Sequence, residues 1–253
     1  MSDNISSNVL FHLTDSMGKL KSILRDGFFP HYCPEYTLAD ADREAASKRK
    51  PPTHAVPIIS FCDLPLSLMR SHLDEYGDYG IGLNKKWGLR NGVAPVIYTH
   101  SKAKTRPVVL RLTDKSKPKA ILADAEFLAA HTRPYEGPAW RKGKVQKRVR
   151  FYNEREWRYV PPIRGDKPLF MNWNDYHNET KRKAFHDEFR RKNALPILPD
   201  DIQYLILPYD KSENNILEMH DYIMNLHGRR YGRKKAILVT TAIMTDDCIR
   251  DDA

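Results

Sequence analysis

The chain is poor in cysteine and holds none of the common motifs that bind a metal or a nucleotide cofactor. Its three cysteines, Cys33, Cys62 and Cys248, lie far apart and show no CxxC spacing. That argues against a disulfide framework and a zinc ribbon, and it suits a reducing compartment. No His and Cys cluster has metal-ligand spacing, so no metal is expected. There is no GxxxxGK[ST] loop and no GxGxxG turn, which argues against P-loop and Rossmann cofactor use. No apolar run approaches the roughly 20 residues of a membrane-spanning helix. The first eight residues, Met1-Ser2-Asp3-Asn4-Ile5-Ser6-Ser7-Asn8, lack both the basic start and the apolar stretch of a secretory signal. No membrane association and a cytoplasmic location are the expectations.

What the chain does have is positive charge. Among 253 residues, 42 Lys and Arg face 32 Asp and Glu, for a formal net charge of +10. An excess of this kind favours polyanionic partners, nucleic acid above all. The charge is clustered. Arg141, Lys142, Lys144, Lys147, Arg148 and Arg150 are interleaved with Trp140 and Phe151. Pro134, Gly137, Pro138 and Gly143 break the same stretch, so 132–150 reads as a long basic loop. A charge run is usually a solvated face. Aromatics among cations also suit single-stranded RNA or DNA, whose bases stack while its phosphates pair. Arg190-Arg191-Lys192 and the run Arg229 to Lys235 add to the positive surface.

Hydrophobic residues make up 41% of the chain, enough for a sizeable core, and neither repeat nor linker is visible. One α+β domain over residues 1–253 is expected. Strands are read at Val9–Thr14, Val56–Cys62, Pro95–Thr99, Pro107–Leu112, Ile202–Pro208 and Ala236–Thr241. Helices are read after Asp15 or Ser16, from Asp63 to Leu73, at Lys85–Leu89, and over Asp40–Ser47, Lys119–His131, Asn178–Lys192 and Asn214–Leu226.

The most telling segment is Phe151-Tyr152-Asn153-Glu154-Arg155-Glu156-Trp157-Arg158-Tyr159-Val160. If it is extended from Glu156, then Glu156, Arg158 and Val160 share one face. Two carboxylates two residues apart suit the splitting of a nicotinamide glycoside. Glu156 would hold the ribose as positive charge builds on it, and Glu154 would take the acceptor's proton. The plainer alternative is that both are rim carboxylates neutralising the basic tract.

Other candidates carry similar pairs of readings. His12 and Thr14 share a strand face and could hold a ribose or carboxamide, though a lone strand histidine is more often structural. Ser60 is either a strand terminus or a hydroxyl in a pocket beside Phe61. Tyr76 and Tyr79, set among glycines, are either core aromatics or a wall for a flat ring such as nicotinamide.

Phe11-His12-Leu13-Thr14, followed by a helix and Asp26-Gly27-Phe28, resembles the first motif of DarT-like ADP-ribosyltransferases and RNA 2′-phosphotransferases. Four further stretches are similar to the AbiGi family of abortive phage-resistance proteins: Ile59 to Pro65, His72 to Trp87, Glu154-Arg155-Glu156-Trp157-Arg158, and the tail ending in Ile237 to Thr241. The resemblance spans roughly residues 9–245. It implies an ADP-ribosyltransferase-like fold, with two small antiparallel sheets around an NAD cleft and flanking helices. It implies NAD as co-substrate, Glu156 and Glu154 as catalytic, and His12, Thr14, Ser60, Phe61 and Tyr79 as NAD-binding. Arg43, Arg49 and Arg70 are candidates for the NAD phosphates. The implied function is a phage-defence toxin that transfers ADP-ribose to nucleic acid, mRNA before DNA, and is neutralised by a cognate antitoxin. The family's antitoxin label implies an alternative, a non-enzymatic protein that binds nucleic acid. A transferase with a protein acceptor is the third reading.

Overall fold

A computed structural model describes residues 7–38, 52–114, 116–141, 143–162 and 169–251. The chain starts with β1 (Val9–Thr14), α1 (Met17–Asp26), β2 (His31–Glu35) and β3 (His54–Cys62). It continues with α2 (Arg70–Tyr76), β4 (Tyr79–Asn84), α3 (Lys85–Arg90), β5 (Ala94–Pro95) and β6 (Ile97–Thr99). Next come α4 (Thr105–Leu112), α5 (Lys119–Ala130), β7 (Thr132–Pro134), β8 (Gly137–Arg141), β9 (Lys144–Val149) and β10 (Glu156–Tyr159). The last part holds β11 (Met171–Asn172), α6 (Trp173–His177), α7 (Glu179–Lys192) and β12 (Ile202–Leu207), then α8 (Asn214–Tyr231), α9 (Arg233–Thr240), β13 (Ile243–Thr245) and α10 (Asp246–Asp251). Helices and mostly antiparallel strands make it an α+β protein.

The chain forms two compact units. The first holds residues 1–28, 61–92 and 195–253, and the second holds 29–60 and 93–194.

In the first unit the strands run in the order β13-β12-β4-β1. β4 is antiparallel to both β1 and β12, and β13 is parallel to β12. The end of β3 pairs with β1 at Phe11 and Cys62. Helix α1 starts at Ser16, whose hydroxyl accepts from the Lys19 amide at 3.4 Å, and stops at Gly27. One core is built of Phe11, Leu64, Met69, Leu73, Ile206 and Ile249, all buried.

Two glycines show why this segment tolerates no side chain. Gly77 ends α2 at φ 122°, and a Cβ there would press on the Thr14 carbonyl. A Cβ on Gly82 would lie 2.7 Å from the Phe11 ring and 3.0 Å from that of Tyr204. The glycines in the Tyr76–Leu83 stretch therefore let strands and their aromatic side chains close up.

In the second unit, β3 is paired antiparallel by β2 and β11, and β10 lies between β3 and β5. Val56, Ile58, Ala130, Val160 and Leu169 form its core. Short β6 and β7 run parallel, and β8 with β9 makes a hairpin.

Four sequence expectations are corrected. Pro107–Leu112 is helical, within α4. Pro107 sits in the first turn, where a missing amide costs nothing, and Arg106 and Val109 are buried three residues apart. Ala236–Thr241 is helix α9 up to Thr240, burying Ala236 and Val239 while Ile237 and Leu238 stay exposed. Its β-branched composition suggested a strand, but its burial follows the helical spacing. The stretch 132–149 holds β7, β8 and β9, and its glycine at 143 (φ 73°) turns the hairpin. The helix expected from Asp63 begins only at Arg70, after a 3-10 turn at Leu66–Leu68. Strand β2 gave no sequence signal. The helix expected over Asp40–Ser47 lies outside the described residues.

Candidate functional site

The Glu-x-Glu segment is extended from Glu156 onward, as expected. Phe151–Glu154 is a 3-10 turn, and Arg155 then takes a left-handed conformation (φ 46°, ψ 45°) before β10 starts. That step brings both carboxylates onto one guanidinium. Arg133 Nη1 donates to Glu154 Oε2 at 2.6 Å and to Glu156 Oε2 at 2.7 Å. The Arg133 guanidinium also lies 3.9 Å from the centre of the Phe151 ring.

Left-handed backbone is costly for a residue with a Cβ. Arg155→Val should therefore be less stable than Arg155→Gly by about 1–2 kcal/mol. Urea midpoints of the two variants test this, and equal midpoints would show that position 155 carries no strain.

Arg158 lies on the same strand face as Glu156, and Arg158 is 1% exposed. Its Nε donates to Glu156 Oε1 at 2.7 Å, and its Nη2 donates to Glu156 Oε2 at 3.0 Å and to Glu35 Oε1 at 2.6 Å. Nη1 donates to the Ala130 carbonyl at 2.8 Å. Ser60 Oγ donates to Glu156 Oε1 at 2.7 Å, and the Glu156 amide donates to Tyr98 Oη at 2.9 Å. Arg141 Nη2 donates to Glu154 Oε1 at 2.5 Å. Glu35, Glu154 and Glu156 thus face Arg133, Arg141 and Arg158, and the six charges cancel.

Glu156 stays ionised at neutral pH. Burial pushes the Glu156 carboxyl up, but Arg158, Arg133 and the Ser60 hydroxyl outweigh it and hold the group down to about 2. Burial likewise opposes the charge on Arg158, and Glu156 with Glu35 more than restores it. Burial, with the charge of Glu156, pushes the Tyr98 phenol well above its ordinary value, so it stays protonated.

The structure therefore joins Glu154, Glu156 and Ser60 in the second unit. His12, Thr14, Phe61 and Tyr79 belong to the first. There the His12 ring packs edge-on to Phe28 at 5.0 Å and against Phe61 at 5.7 Å, and both phenylalanines meet Trp87. Thr14 and Tyr79 face each other across β1 and β4. Arg70 opens α2 on the surface, whereas Arg43 and Arg49 lie outside the described residues.

Sequence reading passed over Arg133, Tyr98 and Glu35. The parallel β6–β7 pairing sets Tyr98 opposite Arg133, a juxtaposition that no local pattern announces. The alternative for the two glutamates, neutralisation of the basic tract, holds in part, because Arg141 binds Glu154. Among the described residues no group of three or more His, Cys, Asp or Glu is placed to hold a metal ion. No described helix is long and apolar enough to cross a membrane.

Fold and site thus define an α+β protein built around a Glu-x-Glu-x-Arg strand. The family described as "Putative abortive phage resistance protein AbiGi, antitoxin" matches residues 26–208. The chain belongs to this AbiGi family of abortive phage-resistance proteins. It is 25% identical over 252 residues to "Abortive phage resistance protein AbiGi" from Lactococcus lactis subsp. cremoris, an alignment covering 89% of this chain and 99% of that relative. No solved structure matches the chain.

Proposed function

We propose that this AbiGi protein acts in phage defence as an ADP-ribosyltransferase of ADP-ribosyltransferase-like fold. It would move ADP-ribose from NAD to nucleic acid, RNA before DNA. The observation that supports the reading is the 2.7 Å hydrogen bond from Ser60 Oγ to Glu156 Oε1, in a setting that keeps Glu156 ionised. A fixed negative charge, oriented before the reaction, is what a ribosyl centre needs as positive charge develops on it.

In the proposed reaction the bond between the ribose C1′ and the nicotinamide nitrogen breaks, and nicotinamide leaves with the electron pair. A nucleophilic atom of the acceptor bonds to C1′, and its proton passes to Glu154. Glu156 carries the charge stabilisation, and Ser60 and Arg158 fix its orientation. The basic β8–β9 hairpin would face the nucleic acid.

A second reading rests on the cancelled charges and on the family's description. With every carboxylate of the cluster held by a guanidinium, the site is also a sound structural core for a binding protein. An antitoxin of that kind would hold a cognate toxin and transfer nothing. A toxin would instead need a neutralising partner of its own.

The separating experiment is intact-mass analysis of RNA and DNA oligonucleotides after incubation with the protein and NAD. The transferase reading expects one added ADP-ribosyl group, reduced by about 100- to 1000-fold in Glu156→Gln. Labelled NAD with lysate extends the test to protein acceptors. If no RNA, DNA or protein gains label, the transferase reading fails and the binding reading stands.

A further inference from the structure

A hollow of about 560 Å³ lies in the first unit, away from the residues discussed so far, lined by Arg25, Tyr222, Asn225, Leu226, Arg229 and Arg230. Arg25 is in the last turn of α1, and the other five lie in α8 from its middle (Tyr222) toward its C-terminal end. The hollow is shallow and open, and most of its lining surface is apolar, so the charged groups stand at its border.

Three guanidiniums border the hollow, and one carboxylate partly offsets them. Arg25 binds Asp26 through Nε at 3.0 Å and Nη2 at 2.7 Å. Arg230 Nη1 donates to the Arg25 carbonyl at 2.9 Å, which ties the two helices together, and among the described residues its guanidinium makes no other bond. Among the described residues nothing pairs with the guanidinium of Arg229. Tyr222 is pinned through its hydroxyl, which donates to the Lys21 carbonyl at 3.0 Å. Its ring is therefore held in place, with the Lys21 ammonium 5.1 Å from its centre. Lys21 is itself paired with Glu218.

A rigid ring with a surplus of guanidiniums beside it is a surface for a phosphorylated nucleoside. Arginine forks match phosphate oxygens, and a base stacks on the ring. Arg233 and Lys234, exposed just past Gly232, extend the positive surface along the chain.

We infer that this hollow between the ends of α1 and α8 binds a nucleoside phosphate, with the base against Tyr222 and the phosphate on Arg229 and Arg230. The ligand is either a free nucleotide or one unit of a single strand, and both present the same chemistry. The inference does not depend on ADP-ribosyl transfer, and its test uses no NAD.

The probe is a short fluorescent single-stranded RNA, measured by anisotropy against the intact protein over a salt series, with AMP as competitor. Arg229→Glu should weaken binding about tenfold, and Arg229→Glu with Arg230→Glu should weaken it further. Loss of two phosphate contacts should reduce the salt dependence by roughly 1.4 log units per log unit of salt, at roughly 0.7 for each. Arg229 is exposed and makes no internal bond among the described residues, so its single variant should fold normally. Competition by AMP identifies a free-nucleotide site, and binding of RNA without AMP competition identifies a strand site. Unchanged RNA affinity and salt slope in both variants would overturn the proposal. So would failure of the parent protein to bind either RNA or AMP.

Discussion

Arg158→Ala is expected to destabilise the second unit by about 3–5 kcal/mol, the usual cost of removing one partner from a buried ion pair. Arg158 is 1% exposed and donates to Glu156, Glu35 and the Ala130 carbonyl, all buried or half-buried. Among the described residues, its removal leaves Glu35 with Arg133, whose Nη2 is 3.9 Å from Glu35 Oε1. It leaves three carboxylates facing two guanidiniums, and it leaves the Ala130 carbonyl without this donor. Arg158→Lys keeps the charge but cannot present three donors in one plane, so it should recover only part of the loss.

The contrast is Arg148→Ala. Arg148 is 77% exposed in its side chain and binds Glu136 at 3.0 Å, so its removal should cost less than about 1 kcal/mol. Hydrogen exchange of peptides from β3, β7 and β10, with urea unfolding, measures both. A cost at Arg158 no greater than at Arg148 would show that the cluster does not hold the unit together.

What was legible in the sequence tracks how local each signal is. β1, α1 and α7 follow from spacing and caps written within a dozen residues. The shared face of Glu156, Arg158 and Val160 follows from strand alternation, and their burial bears it out. Ser60 was a weak candidate from sequence, and it becomes informative only because its hydroxyl meets Glu156, 96 residues further along the chain.

Arg133 could not be found this way. It stands between Thr132 and Pro134 in a stretch whose glycines and prolines suggested a loop. Its role depends on a three-residue parallel pairing with β6 and on a left-handed step at Arg155. Helix α9 was missed for a related reason. Ala236-Ile237-Leu238-Val239 is apolar throughout, so its composition conceals which residues face inward. Packing on α8 decides that, and composition does not.

Glu156→Gln should change the acid response of the protein as well as its proposed chemistry. The Glu156 carboxyl is held at about 2, against an ordinary value of 4.5. A group lowered in this way contributes stability that is fully present above its unfolded value and is lost as pH falls toward its folded value. The window thus runs from about pH 5 down to about pH 2. At neutral pH the contribution is about 3 kcal/mol, from roughly 1.4 kcal/mol for each pH unit between the two values. Glutamine removes the charge and turns an amide donor toward guanidinium donors, so the variant should be less stable than the parent at pH 7. The gap should narrow steadily between pH 5 and pH 2, as the parent loses the charge that the variant lacks. Thermal midpoints of both proteins across that range are the measurement. A gap that stays constant with pH would mean that the carboxylate is not tied to Arg158 and Arg133 in the folded protein. Because the variant is less stable, the proposed transfer is to be assayed in it and in Arg158→Lys at a temperature where both are folded. Loss of transfer in Glu156→Gln alone would place the chemistry on the carboxylate, whereas equal loss in both would assign it to the integrity of the cluster.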